Sequence, residues 1–162
     1  QVAKLKNPSF LIALDVETNR LNLAKSLGAN VVINPQQEDA VKIVKDLTDN
    51  YGCDVYIEAT GHPSGVTQGL EMIRRQGRFV EFSVHSKKTC VDWSEIGDRK
   101  EIDIYGAHLG PYCYPLAIKY IKEDKVKVKN IVTHKFPLDD FQKALSFAAK
   151  KKENAIKVAL VP

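Results

Sequence analysis

An acid and an arginine near the start of the chain have the residue types and the spacing for nucleotide chemistry. Asp15 and Arg20 stand in the stretch FLIALDVETNR, residues 10–20. The unbroken apolar run before Asp15 is typical of a strand covered on both faces. Open α/β sheets bind ligands at the carboxyl ends of their strands, where an acid can accept hydrogen bonds from ribose hydroxyls. The alternatives are that Asp15 caps the next helix and that Arg20 is only solvated.

The other residues that could do chemistry form no pattern that indicates a catalytic or metal site. No histidine pairs with a nearby carboxylate in a recognisable motif. The cysteines are odd in number and contain no C-x-x-C pair, so neither a zinc knuckle nor a disulfide framework is indicated. The sequence therefore predicts no catalytic residue and no metal ligand in this chain, and a reducing, cytoplasmic setting. The residues concerned are His62, His85, His108, His134, Cys53, Cys90 and Cys113.

Composition argues against two classes of partner. The 162 residues suit one domain, and 44% hydrophobic with 27% charged residues is typical of a globular protein. No apolar run is long enough to cross a bilayer and no signal peptide opens the chain, so no membrane partner is predicted. The net charge is +4, but the lysine-rich stretches 122–129 and 150–152 lack interleaved aromatics. They indicate a solvated face rather than a nucleic-acid interface.

Strand-like and helix-like segments alternate along the chain. Such alternation indicates βαβ units, a mainly parallel sheet and right-handed crossovers. The helix predicted at 114–124 should turn Leu116, Ala117, Tyr120 and Ile121 inward. Strands are predicted at 10–14, 30–35, 54–61, 78–84, 101–110 and 155–161, helices at 18–29, 38–52, 63–77 and 114–124, and a tail at 131–151 that leads into the last strand.

The phosphate-binding loop of a dinucleotide fold is not visible in the sequence. A G-x-G-x-x-G fingerprint should precede such an acid by about 20 residues, between the first strand and its helix. A helix-like tail and Pro8 stand there instead. The chain is then either a fragment that begins downstream of that loop or a different fold.

Three groups of residues together resemble one family. The stretch ALDVETNRLNLAKSLGANVVINP resembles that family's second strand, with its acid and its basic residue. GCDVYIEATG and GRFVEFSV resemble the fourth and fifth strands, and IYGAHLG with residues 131–162 resembles the sixth strand and the returning tail. In this order and spacing, the chain resembles the carboxyl half of a zinc-containing medium-chain alcohol or polyol dehydrogenase.

The resemblance implies a fold class and a division of the chain. The fold would be α/β, a Rossmann-like doubly wound parallel sheet that lacks the first strand and the glycine loop. Residues 1–110 would form a partial NAD-binding domain. Residues 111–162 would form a helix and a returning tail that belong to the catalytic domain.

The resemblance also implies where the cofactor NAD would lie. Asp15 would bind the adenosine ribose, with Arg20 beside it, and the turn of Thr60, Gly61 and His62 would meet the adenosine side. Ser83 stands where the family often has glycine. Backbone groups near the nicotinamide carboxamide would come from Phe82, Ala107 and Leu109, and Val84 would lie near the ring.

The function implied by the resemblance is hydride transfer from an alcohol or polyol to NAD. The family's zinc ligands lie in its amino-terminal domain, so zinc would be held in the parent enzyme outside this chain, and the chain alone would be inactive. Subunits would form a homodimer or a homotetramer through residues 100–107, because the strand there is expected at the edge of the sheet. The alternatives are an S-adenosylmethionine-dependent methyltransferase, which needs a reversed final strand, and a non-catalytic NAD-sensing module.

Overall fold

The computed structural model describes residues 1–150 and 152–162. The chain divides into two compact units, one of residues 1–34 with 113–162 and the other of residues 35–112. The assignment of residues 1–110 to a nucleotide domain and 111–162 to a catalytic domain stays a prediction, because the density of contacts does not by itself define a functional domain.

The first unit contains two pairs of parallel strands with their helices. In each pair the strands are joined through a helix, as a parallel connection requires. Its buried apolar residues include Leu21, Ala29, Ile33, Ala144 and Ala155. The elements are β1 (Ile12–Leu14), α1 (Thr18–Ser26), β2 (Val31–Ile33), α4 (Tyr114–Lys122), β6 (Val132–Pro137), α5 (Phe141–Ala149) and β7 (Lys157–Val161), with β1 paired to β2 and β6 paired to β7.

The second unit contains a three-stranded parallel sheet in the order β3-β4-β5. Its core is formed by Leu70, Ile73, Phe79 and Ile102, and the rings of Tyr56 and Phe79 lie 5.2 Å apart. Its elements are α2 (Ala40–Leu47), β3 (Cys53–Glu58), α3 (Pro63–Met72), β4 (Ile73–Glu81) and β5 (Asp103–Gly106).

The helix predicted at 63–77 is five residues too long at its carboxyl end. The structure ends α3 at Met72 and begins β4 at Ile73, which pairs with Cys53 of β3. Ile73 is fully buried in the core, and Arg74 donates to Asp54 across the strands. Burial and strand pairing therefore outweigh the helical propensity of this segment.

The prediction of an inward face on α4 is wrong for this chain. Leu116, Ala117 and Ile121 are exposed, and Tyr120 is only partly buried. Helical spacing identifies which side of a helix is apolar, but a second surface is needed to bury it. Nothing in the part of the chain that the structure describes covers this face.

The predicted fold class is confirmed. Each strand pairing among the described residues is parallel, and helices alternate with the strands. The prediction that the strand near 101–110 lies at an edge is also confirmed, because β5 pairs with β4 alone in this sheet. None of the helices described has the length and apolar character required to cross a bilayer.

Candidate cofactor site

Asp15 lies directly after β1, as predicted, and one of its carboxylate oxygens remains available for a ligand. Its Oδ1 accepts a hydrogen bond from the Glu17 backbone N–H at 2.9 Å. Its Oδ2 lies 3.8 Å from an Arg20 guanidinium nitrogen, beyond hydrogen-bond distance. Glu17 is the N-cap of α1, so Asp15 does not cap that helix. A partly exposed carboxylate beside a guanidinium fits the ribose hydroxyls of a nucleotide.

The turn of residues 60–62 is built on Glu58, the last residue of β3. Glu58 is fully buried, and its Oε1 accepts hydrogen bonds from the backbone N–H and the hydroxyl of Thr60. Its Oε2 accepts the Gly61 N–H at 3.3 Å. His62 then caps α3, because its Nδ1 accepts the Ser64 N–H at 3.2 Å. The turn is therefore held by a buried carboxylate that the sequence interpretation did not single out.

Contacts within the protein itself require a glycine at position 61. Its φ of +68° is in the left-handed region, and a Cβ there would lie 2.6 Å from the Val84 carbonyl oxygen. The turn after β3 and the segment after β4 thus touch at this point. The same two segments are joined by the Phe82 N–H, which donates to the Glu58 carbonyl at 3.0 Å, and by the Ser83 hydroxyl, which donates to that carbonyl at 3.3 Å.

A second acid and a histidine complete the cluster around Glu58. Glu81 ends β4 and is the register partner of Glu58 in the parallel sheet. His85 Nε2 lies 3.1 Å from Glu81 Oε1 and 3.5 Å from Glu58 Oε2. Glu81 Oε1 also accepts the Ser83 N–H at 3.1 Å. The sequence contains no recognisable motif that pairs a histidine with a carboxylate, but the structure places His85 against both of these acids.

The charge state of Glu58 follows from its surroundings. Burial alone would raise the pKa of Glu58, because water no longer solvates the carboxylate. Hydrogen bonds from Ser83, Thr60 and Gly61 outweigh that effect and hold the pKa of Glu58 below its usual range. Glu58 is therefore ionised at neutral pH although it is buried.

The residues predicted to meet the nicotinamide lie at the ends of β4 and β5. Phe82, Val84 and Leu109 have exposed side chains. The backbone N–H groups of Phe82 and Ala107 are used within the sheet, since they donate to Glu58 and Glu81 carbonyls at 3.0 and 2.9 Å. Other backbone groups would therefore have to bind the nicotinamide carboxamide. The candidates are the carbonyl oxygens of Phe82 and Ala107 and the N–H of Leu109.

In the part of the chain that the structure describes, the cysteines form no metal-binding cluster with the histidines. All three are free, Cys53 partly buried and Cys90 and Cys113 exposed. Among the residues that the structure describes, the grouping with a geometry for metal is Glu58, Glu81 and His85, whose ligand atoms lie within 4.8 Å of one another. That set contains no thiolate, so the residues present do not reproduce a cysteine-containing zinc site.

Comparison with known families identifies the family of the chain. The family described as zinc-binding dehydrogenase matches residues 1–123. The chain belongs to the zinc-binding dehydrogenase family. This confirms the resemblance on which the sequence interpretation rests, and with it the expected relationship to zinc-type dehydrogenases.

Individual relatives in this family agree over nearly the whole chain. The chain is 52% identical over 160 residues to the erythritol/L-threitol dehydrogenase of Mycolicibacterium smegmatis, covering 99% of the chain and 44% of that enzyme. A solved structure, the alcohol dehydrogenase TADH from Thermus sp. ATN1, superposes with a TM-score of 0.87 at 28% identity, covering 99% of this chain and 46% of that one. L-idonate 5-dehydrogenase from Escherichia coli K-12 substr. MG1655 gives a TM-score of 0.84 at 28% identity, with 94% and 43% covered. The chain spans about half the length of the relatives that it matches.

Proposed function

We propose that this chain is the NAD-binding half of a dehydrogenase that transfers hydride from an alcohol or polyol to NAD. The observation that carries the proposal is Asp15, which follows β1 with one carboxylate oxygen beyond hydrogen-bond distance of Arg20. An acid in this position accepts hydrogen bonds from ribose hydroxyls and repels a 2′-phosphate. The relationship to polyol and alcohol dehydrogenases supplies the reaction class.

The chain's own residues would bind and orient the cofactor. Asp15 would hold the adenosine ribose, and Arg20 would flank it. The turn of Thr60, Gly61 and His62 would meet the adenosine side. Backbone groups of Phe82, Ala107 and Leu109, with the Val84 side chain, would present the nicotinamide to the substrate. Holding the two reacting carbons in position is the protein's part in a hydride transfer.

Zinc in the whole enzyme would polarise the alcohol oxygen and lower its pKa, as a Lewis acid does. Its ligands would lie outside this chain, as the resemblance implies. The substrate would be a small polyol, and the 52% identity to an erythritol/L-threitol dehydrogenase makes these two tetritols the first compounds to test. A cytoplasmic location is proposed with this function.

Cofactor titrations with an Asp15→Ser variant of the full-length protein test the proposal. We expect the wild type to bind NAD at least tenfold more tightly than NADP, because the carboxylate repels a 2′-phosphate. In the variant the ratio of the two dissociation constants should approach one, mainly through weaker NAD binding. Asp39→Ser is the matched control, since Asp39 caps α2 instead. An unchanged ratio in Asp15→Ser would contradict the assignment of Asp15, and no NADH formation with any polyol would contradict the proposed reaction.

We also propose that the whole protein is a homodimer, or a homotetramer of dimers, joined at β5. The Ala107 N–H donates toward β4, and successive residues of a strand alternate in direction. The N–H and C=O of Ile104 therefore face the open edge of the sheet. Ile104 and Tyr105 are also about half exposed, at 46% and 47%. An exposed apolar edge strand suits pairing with a second copy across a two-fold axis.

Ile104→Pro tests this interface without disturbing the pairing of β5 with β4. Proline would remove an N–H that faces the open edge, a position that edge strands tolerate. We expect light scattering to report a smaller species for Ile104→Pro and the wild-type mass for Ile104→Val, which keeps the donor. A monomeric wild type would contradict the proposal.

A further inference from the structure

The cluster of Glu58, Glu81 and His85 joins the two segments that the proposed function places against the cofactor. Glu58 holds the turn at residues 60–62 through the N–H groups of Thr60 and Gly61. Glu81 holds the segment after β4 through the Ser83 N–H. His85 Nε2 reaches both carboxylates, at 3.5 and 3.1 Å.

The two carboxylates lie side by side because the sheet places them so. They are register partners at the ends of parallel strands, and like charges in register repel each other. Among the described residues, the ionisable groups that face the His85 ring are Glu58 from β3 and Glu81 from β4. An N–H donor on Nε2 that lies 3.1 Å from Glu81 and 3.5 Å from Glu58 relieves that repulsion and draws their segments together.

The orientation of the ring follows from its two nitrogens. Nε2 can donate to the carboxylates when it carries hydrogen, whether the ring is neutral or charged. Nδ1 is buried and has no hydrogen-bond partner among the residues that the structure describes. The contacts of the ring with the acids are therefore made through Nε2.

We propose that His85 is a positioning residue, which fixes the 60–62 turn against the 82–84 segment by bridging Glu58 and Glu81. The proposal rests on the proposed function for its consequence, which is the binding of NAD. Phe82 and Val84 have exposed side chains, at 61% and 94%. The positions of Phe82 and Val84 are therefore fixed mainly by their backbone. The close approach of Gly61 to Val84 means that the 60–62 turn and the 82–84 segment stabilise each other. Loss of the bridge should therefore loosen both at once.

A cation bound by the same three side chains is the competing arrangement. Their ligand atoms lie within 4.8 Å of one another. The carboxylates already accept N–H groups of their own loops, however, and Nε2 stands at hydrogen-bond distance from Glu81. The present contacts are those of a hydrogen-bonded network, and the experiment below separates the two.

The test measures both NAD affinity and amide hydrogen exchange in the full-length protein. In His85→Ala we expect the dissociation constant for NAD to rise about tenfold, the order for one lost hydrogen bond to a charged group. The Gly61 and Ser83 amides should exchange faster, while those in α2 should not change. His85→Gln keeps an N–H donor and should recover most of the affinity. Lys88→Ala, in the same segment and exposed, is the matched control.

Several results would overturn the proposal. Unchanged exchange at Gly61 and Ser83 in His85→Ala would do so, whatever the cofactor measurement gives. So would an equal loss of affinity in the Lys88→Ala control, or an equivalent of zinc bound by the wild type beyond that in His85→Ala. If His85→Ala does not fold, His85→Asn replaces it, because the shorter side chain moves its N–H donor away from the two carboxylates. A wild type that binds no NAD would contradict the proposed function, and the exchange measurement would still decide the role of His85.

Discussion

Asp15 and Glu58 both stand at the carboxyl end of a strand, but their surroundings suit them to different roles. Asp15, after β1, has a side chain 30% exposed and one oxygen beyond hydrogen-bond distance of its basic neighbour. Glu58, at the end of β3, is fully buried, and both of its oxygens accept N–H groups of the following turn. An acid with unused acceptor capacity can bind a ligand, whereas one that is saturated by its own backbone builds structure.

The comparison makes Glu58→Gln the substitution with the largest expected effect on stability. Glutamine keeps the shape but replaces one acceptor oxygen by an NH₂ donor, which would face the Gly61 N–H or the Thr60 N–H. It also removes the charge that these groups and His85 stabilise. We expect the free energy of unfolding to fall by about 3 kcal/mol, the order for breaking a buried charged network. Urea unfolding of both proteins measures this difference.

Acid titration sharpens the same prediction. Because the pKa of Glu58 is lowered on folding, its ionised form contributes stability above the pKa of the unfolded state. That contribution is lost as the pH falls through the lower folded-state pKa. The wild type should therefore lose more stability than Glu58→Gln between pH 5 and pH 2 (roughly the range for carboxyl groups). Equal losses would contradict the assigned charge state.

Gly65→Ala would place a new methyl group of α3 against the Glu58 carboxylate, and it should lower the free energy of unfolding less than Glu58→Gln does. A Cβ at Gly65 would lie 2.5 Å from Glu58 Oε1 and 2.7 Å from Thr60 Oγ1. Such overpacking costs about 1–3 kcal/mol and outweighs the better helix propensity of alanine. Gly97→Ala is the matched control, since nothing lies within 4 Å of a Cβ there. In thermal unfolding, the midpoint temperature of Gly65→Ala should be lower than that of Gly97→Ala. Equal midpoints would contradict the prediction, because the start of α3 would then have shifted to accommodate the added Cβ.

The importance of Asp15 could be predicted from the sequence, whereas that of Glu58 could not, for a physical reason. Asp15 follows a short apolar run and introduces a helix, a pattern that is visible in a linear reading. The pair of Glu58 and Glu81 depends on the register of two strands 23 residues apart in the sequence. One sequence feature could have indicated this cluster. The predicted strands DVYIE and RFVE both end on glutamate, and His85 follows Glu81 by four residues. The same limit explains α4, where helical spacing predicted an apolar face but not what would cover it.

Asp15→Ser is expected to have the smallest effect on stability. The ion pair with Arg20 joins side chains that are 30% and 40% exposed at 3.8 Å, and such surface pairs contribute about 0–1 kcal/mol. The Glu17 N–H that Asp15 accepts at 2.9 Å can be accepted by a serine hydroxyl instead. We therefore expect the free energy of unfolding to change by less than about 1 kcal/mol, measured by urea unfolding beside Glu58→Gln. A loss as large as that of Glu58→Gln would mean that Asp15 is also a structural acid, and the contrast between the two strand ends would fail.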